Sequence, residues 1–260
     1  MLRELYTAAL GMQPQQTRLE VSANNIANAN TPGFKRGSVF ESTLIDAASH
    51  LNHTPGVAEQ DDPPVGSFID FSKGMFEQTQ NPLDVAVDNQ NGFFVVRDEA
   101  GTQYLTRAGH FILTPAGEIT TTDGKRIDGL ENSVNMGKSP TSGVDDLKEQ
   151  TSVNIVISPN GDVFANNDKV GFIQIAKVDN PETLQKASNA CFTVTSSTKM
   201  DVMPQEEVNL KQGWLENSNV DIVKEMVQMI ELQRLFEVGS KVIHTGSETL
   251  DTSLRLGRIV

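Results

Sequence analysis

A chain of 260 residues with 37% hydrophobic and 21% charged side chains can bury one good core or two or three small ones. Its net charge of −13 is concentrated in the middle, where residues 37–204 carry 11 Lys/Arg against 23 Asp/Glu. Such a surface argues against nucleic acid as a partner, because binding phosphates requires Lys and Arg to replace released counterions. No window reaches the roughly 18 consecutive apolar residues of a membrane helix. The opening "MLRELYTAALGMQPQQ" lacks the apolar run and small-residue cleavage site of a secretory signal, so ordinary Sec export is not expected. Cys191, the single cysteine, has no internal disulfide partner and reads as a small buried hydrophobe.

The first element is helical. Leu5, Met12, Leu19 and Ile26 recur every seven residues, interleaved with Leu2, Ala9, Gln16, Ala23 and Asn30. Alternating three- and four-residue steps make a helix-packing seam. Pro14 interrupts it, so the helix is expected to kink there or to split into 1–12 and 15–30. Toward its end "VSANNIANANTPGFKR" crowds in Asn24, Asn25, Asn28 and Asn30. Each Asn costs about 0.6 kcal/mol of helix propensity relative to Ala. Such a helix is weak alone and gains order when partners supply hydrogen bonds, so Asn25 and Asn28 are candidate polar connectors between helices. Residues 36–80, rich in Pro, Gly and Asp around 49–67, read as an extended connector.

Residues 81–205 read as an all-β domain. Short β-type runs are separated by turn signals: Pro115-Ala116-Gly117, Asp123-Gly124 and Asn160-Gly161. The last element is a second long helix, with Ile222, Met229, Phe236, Ile243 and Leu250 repeating by seven, interleaved with Met226, Gln233, Ser240, Ser247 and Leu254. Ser218 and Asp221 offer a capping box at its start and Gly257 a stop near its end.

Catalytic groupings are lacking. His50 and His53 stand in the connector without a Cys or carboxylate at ligand spacing, and Asp84, Asp88 and Asp98 read as solvated strand ends. No P-loop, GxSxG or GxGxxG appears in its required context. The expectation is a non-enzyme with no cofactor and no metal.

These motifs carry a resemblance. "ANNIANANTPGFKR" (23–36) is similar to the N-terminal signature of the flagellar rod and hook axial proteins. "QTQNPLDVAVDNQNGFFVV" (78–96) and "YLTRAGHFILTPAGEITTTDGKRI" (104–127) resemble the segments that open the family's β-domain. "GWLENSNVDIVKEMVQMIELQRLFEVGSKVI" (213–243) resembles its C-terminal helix motif. The resemblance implies an α+β chain in which the long terminal helices, 1–35 with 213–260, pair into a discontinuous, coiled-coil-like inner domain. It implies a structural subunit of the basal-body rod, assembling helically into the hollow drive shaft between motor and hook. Implied partners are further copies, other rod proteins, the hook protein, the surrounding rings and the flagellar type III export apparatus. The chain would span the periplasm, exported without a cleaved signal.

The seam residues Leu5, Met12, Leu19, Asn25, Ile26, Asn28, Ile222, Met226, Met229, Phe236, Ile243 and Leu250 would then meet neighbouring subunits. Phe40 and Leu44 resemble the aromatic-plus-aliphatic motif read by the export gate, and equally fit local packing one helical turn apart. Chain length and the short connector before "NPLDVA" lean toward a proximal rod subunit, while "GWLENSNVDIVKEM" suits the distal type as well. A secreted β-rich fibre, or a hook-like axial protein with assembly helices, is the alternative.

Overall fold

The computed structural model describes residues 2–41, 65–130, 154–188, 190–194 and 198–257. They fall into two compact units, one from the described parts of 1–29, 36–70 and 220–260, the other from those of 30–35 and 71–219.

The first unit holds helix α1 (Leu2–Ala27), strands β1 (Arg36–Glu41) and β2 (Val65–Asp70), and helix α2 (Ile222–Gly257). α1 runs unbroken through Pro14, so the two-piece alternative does not hold. Proline withholds one intrahelical amide bond, and the turns on either side carry the helix past it. The asparagines close α1: the Asn28 side chain donates to the Asn24 carbonyl at 2.9 Å, and the chain turns over Asn28–Asn30. This side-chain bond competes with the backbone ladder, which suits a helix end. α2 starts one turn later than the expected cap. Asp221 itself is the N-cap, accepting from the amides of Val223 at 3.1 Å and Lys224 at 3.2 Å.

β1 and β2 pair antiparallel, Arg36 opposite Asp70 and Glu41 opposite Val65. The stretch 36–80 thus carries strands where an extended connector was expected. Two polar-rich runs without a tight-turn dipeptide give little local strand signal, and the pairing is what stabilises them. Residues 42–64, which include His50, His53 and Leu44, lie outside the described residues.

The second unit is β-rich. Its strands are β3 (Phe76–Gln78), β4 (Val85–Val87), β5 (Gly92–Arg97), β6 (Gln103–Thr106), β7 (Phe111–Leu113), β8 (Ile119–Thr121), β9 (Arg126–Ile127), β10 (Ile155–Ile157), β11 (Asp162–Ala165) and β12 (Asp168–Phe172). There follow β13 (Ile175–Val178), β14 (Gln185–Ser188), β15 (Cys191–Thr193), β16 (Met200–Val202), β17 (Leu210–Gln212) and β18 (Trp214–Glu216). The main sheet runs β14-β15-β6-β5-β9-β8-β7, with β13 joining β5 to β16, and β10-β11-β12 form a separate sheet. β4 pairs with β17 and β3 with β18, so strands near the two ends of the unit's sequence close it.

The anticipated turns are present: Gly117, Gly124 and Gly161 adopt φ of 80°, 80° and 90° between paired strands. β5 reads as a continuous apolar run because both its faces are covered. Phe94 and Val96 pack with Val85, Phe111, Ile127 and Ile157. Phe93, on the other side, meets the rings of Phe71 at 5.7 Å and Phe192 at 6.2 Å.

Candidate functional site

The site begins with the two faces of α2. At about 100° per residue a three-four spacing keeps side chains on one side. Ile222, Glu225, Met229, Leu232, Phe236, Gly239, Ile243 and Gly246 form its least exposed line. The expected repeat through Ile222, Met229, Phe236 and Ile243 lies on that line, half-buried. Its expected companions Met226, Gln233, Ser240 and Ser247 are exposed, and Glu225, Leu232, Gly239 and Gly246 take their place one residue earlier. On α1, Met12, Leu19 and Ile26 are half-buried and Ser22 and Asn25 buried, whereas Gln16 and Ala23 are exposed. Side chains of Leu5, Phe40 and Leu250 are outside the described residues.

Contacts between these lines are specific. Ser22 Oγ donates to the Glu225 carboxylate at 2.8 Å. A methyl group at Gly239 would sit 3.2 Å from Met12 Cγ, so glycine there makes room for the methionine. Glu225 is 2% exposed and also accepts from Asn25 Nδ2 at 3.3 Å and Arg36 Nε at 2.5 Å. Asn25 in turn grips β1 from both sides: its Nδ2 donates to the Gly37 carbonyl at 2.8 Å and its Oδ1 accepts from the Gly37 amide at 2.9 Å. A buried carboxylate needs such partners, since an unpaired one costs several kcal/mol, on the order of 3–5. The asparagine amide is the side chain that donates and accepts at once.

The opposite side of α2 is apolar too. Val223, Val227, Ile230, Val238 and Val242 are all half or more exposed, Val223 at 71%. They repeat at four, three, eight and four residues, a second stripe facing away from the Ile222 line. The sequence reading passed over this stripe because one seven-residue repeat was already accounted for; counting both faces separately would have found it.

The second unit has its own charged centre. Glu216, on β18, accepts from Lys35 Nζ at 2.6 Å, the Gly74 amide at 3.0 Å and Arg107 Nη1 at 3.4 Å, with both cations and the carboxylate 1% exposed. Arg107 stacks 4.8 Å above the Phe93 ring and donates to the Gln90 carbonyl. Burial pulls Arg107 below its ordinary pKa, and the Glu216 charge opposes that. Gly33 is required beside it: at φ 69° a side chain would lie 2.2 Å from the Ala108 nitrogen. Asp84 is likewise saturated, by Thr79 Oγ1 at 2.6 Å, Asn81 Nδ2 at 3.0 Å and His110 Nδ1 at 2.6 Å, so it is a buried bracket rather than a solvated strand end. Among the described residues no group of three or more His, Cys, Asp or Glu side chains is placed to hold a metal ion.

Helices that touch through buried polar clips, an apolar face left open and a β-unit locked by ion pairs together describe a building block. Three family models match along the chain: the flagella basal body rod protein model over residues 5–35, the flagellar hook protein FlgE/F/G D1 domain over 89–165, and the flagellar basal body rod FlgEFG protein C-terminal model over 211–256. The flagellar basal-body rod protein FlgG of Agrobacterium fabrum is 33% identical over 268 residues, 95% of this chain and 96% of the relative. FlgG of Bacillus subtilis is 33% identical over 273 residues, covering 99% and 100%. FlgF of Caulobacter vibrioides, also a basal-body rod protein by name, is 29% identical over 260 residues, 96% and 97%. The chain belongs to the flagellar basal-body rod protein family.

Proposed function

We propose that this chain is a structural subunit of the flagellar basal-body rod, in which α1 and α2 pair as a discontinuous, coiled-coil-like domain (1–35 with 213–260) and copies pack helically through it. The all-β domain, 81–205, would stand outside that packing. Within the family, the observation that carries this reading is the second apolar stripe of α2. A lone surface helix shows one apolar face, and a helix apolar on two sides needs two partners. The partner for one face is α1; a neighbouring subunit is assigned to the other. Other rod and hook components are the natural neighbours at the ends of a stack of copies, and the basal-body rings and export apparatus are the further partners of this reading.

Among the seam positions, Met226 joins the open face, while Met12, Leu19, Ile26, Ile222, Met229, Phe236 and Ile243 support it by holding the two helices together. Asn25 serves inside the chain, and Asn28 closes α1. Leu5, Leu250, Phe40 and Leu44 keep their proposed roles, in packing for the first two and export recognition for the others. Replacing Phe40 and Leu44 together with Ala tests the latter: lost secretion of a chain that still folds supports recognition, and normal secretion with weak rods supports packing.

The decisive experiment is Ile230→Asp in cells lacking the parent gene. A charge on the open face leaves the isolated chain folded but is buried on assembly, so rods and swimming should be lost. Swimming at the parental rate removes this face from the interface. Subunit-level imaging of basal bodies carrying the parent chain then fixes whether it occupies the proximal or the distal rod.

A further inference from the structure

Each helix of the first unit carries an exposed line on the side away from the other. On α1, Gln13, Gln16, Glu20, Ala23 and Ala27 recur at steps of three and four and are all exposed, opposite the buried Ser22 and Asn25. Glu20 is the one charged side chain on this line, and Gln16 Nε2 donates to it at 3.2 Å. On α2, the gap between Ile230 and Val238 in the open stripe is filled by exposed Arg234, and exposed Lys241 follows two turns later. Glu231 and Glu237 stand at the margins, about 60° to either side of Arg234. The stripe is thus apolar from Val223 to Ile230 and basic along its middle from Arg234 to Lys241.

The two lines match in order when they run antiparallel. Inside the chain α1 and α2 already do so, because Ser22 meets Glu225 and Met12 meets Gly239. Copies related by a screw along the helices keep those directions, so α1 of one copy and α2 of the next are antiparallel as well. With Glu20 set opposite Arg234, two turns in one direction bring Ala27 opposite Val227, and two in the other bring Gln13 opposite Lys241. Small side chains then face bulky aliphatic ones, and an acid and an amide face two cations. A helical stack also needs two different surfaces, since a surface that meets its own copy closes a two-fold dimer and stops there.

We propose that the open stripe of α2 receives the Gln13–Ala27 line of α1 from a second copy of this chain, in the antiparallel register that sets Glu20 against Arg234. The inference rests on the rod-subunit reading, which assigns a neighbour to the stripe, and it names the surface that the neighbour brings. Ala23 and Ala27 let the two helices approach over Val227 and Ile230, where removing apolar area from water supplies the affinity. Glu20 fixes the register, because a slip of one turn sets its charge against Ile230 or Val238 instead of Arg234. Each copy offers one line and receives the other, so the contact repeats along a stack.

Cross-linking in assembled rods tests the pairing. Ala27→Cys together with Val227→Cys in one full chain should, on mild oxidation, give a ladder of covalent dimers and longer multimers, while neither single variant does; buried Cys191 takes no part. Charge reversal tests the register. Glu20→Arg alone or Arg234→Glu alone should cut rod yield by about tenfold or more while the free chain melts as the parent does, and the two together should restore it. Should the cysteine pair fail to assemble, the reversals still decide. Rods that form from the cysteine pair without a ladder, single reversals that assemble as the parent does, or paired reversals that restore nothing overturn this inference alone. Ile230→Asp chains that still build rods overturn the open-face reading and the inference with it.

Discussion

In the second unit β5 is covered on both faces by Phe93, Phe94, Val95 and Val96 and their apolar neighbours. In the first unit the most deeply buried side chains of the two helices are Ser22, Asn25 and Glu225, with Leu232 the one apolar member among the described residues, and Val223, Val227, Ile230, Val238 and Val242 of α2 face outward. The difference shows two ways of using the same kinds of residue. An apolar core stabilises in proportion to the area it removes from water, and the second unit does this within one chain. The first unit holds itself by hydrogen bonds that fix geometry and contribute about 0.5–1.5 kcal/mol each, and leaves its apolar area available. A unit built so is stable enough to be specific and gains most of its burial from a neighbour, which is what the assembly reading needs.

The largest expected effect lies in the second unit. Glu216→Gln removes the buried charge that Lys35 and Arg107 share and should cost about 3–5 kcal/mol, read by chemical denaturation of the full chain. A loss under about 1 kcal/mol would mean that the centre is wetter than its burial indicates. Next comes Asn25→Ala. Helix propensity alone favours alanine by about 0.6 kcal/mol, but Gly37 would lose both its partners and Glu225 one donor, at about 1–3 kcal/mol, so the net change should be destabilising. An Asn25→Ala chain more stable than the parent would show that the first unit's polar clips are incidental.

A smaller effect on stability separates the two faces of α2. Val227→Asp should change the melting of the isolated chain by no more than about 0.5 kcal/mol, as for other exposed sites, while Leu232→Ala, on the inner line, should cost about 2–5 kcal/mol. Equal losses would erase the distinction between the faces. The smallest is a pH effect at the start of α2. The Lys224 amide, first among its neighbours, holds Asp221 below its ordinary value of 3.8. A lowered carboxylate stabilises the folded state fully above its unfolded pKa and ceases to do so as the pH falls through the folded one. The Val223 and Lys224 amide resonances should therefore shift together below about pH 4, before the second unit melts, and Asp221→Asn should remove the transition.

Much of this was legible in the sequence where the cause is local. The two helices followed from seven-residue repeats, and Gly117, Gly124 and Gly161 marked turns because each needs a positive φ. The repeat through Ile222, Met229, Phe236 and Ile243, read from the sequence as a seam toward neighbouring subunits, lies on the half-buried line of α2, and the interleaved companions on that line come one residue earlier than the repeat suggests. Its companion Glu225 is charged, and a charged residue gives no apolar signal for a packing line. A charge on a packing line is legible only once its partners are known, and Ser22, Asn25 and Arg36 lie about 190–200 positions away. β1 and β2 were missed for the same reason, since no short turn joins them. The asparagine-rich stretch did signal polar connection, but Asn25 connects within the chain, and Asn28 ends the helix.

The Lys35–Glu216 pair joins residues 181 positions apart, and β3 and β4 wait for β18 and β17. Contacts this distant in sequence form late, because the intervening chain must be gathered before they return any free energy. A chain that emerges amino end first, from a ribosome or a narrow pore, therefore carries an anion-shaped vacancy beside Lys35 and Arg107 until Glu216 arrives. The polar centre and the two closing strand pairs of the β-unit therefore cannot form until residues 210–216 are present.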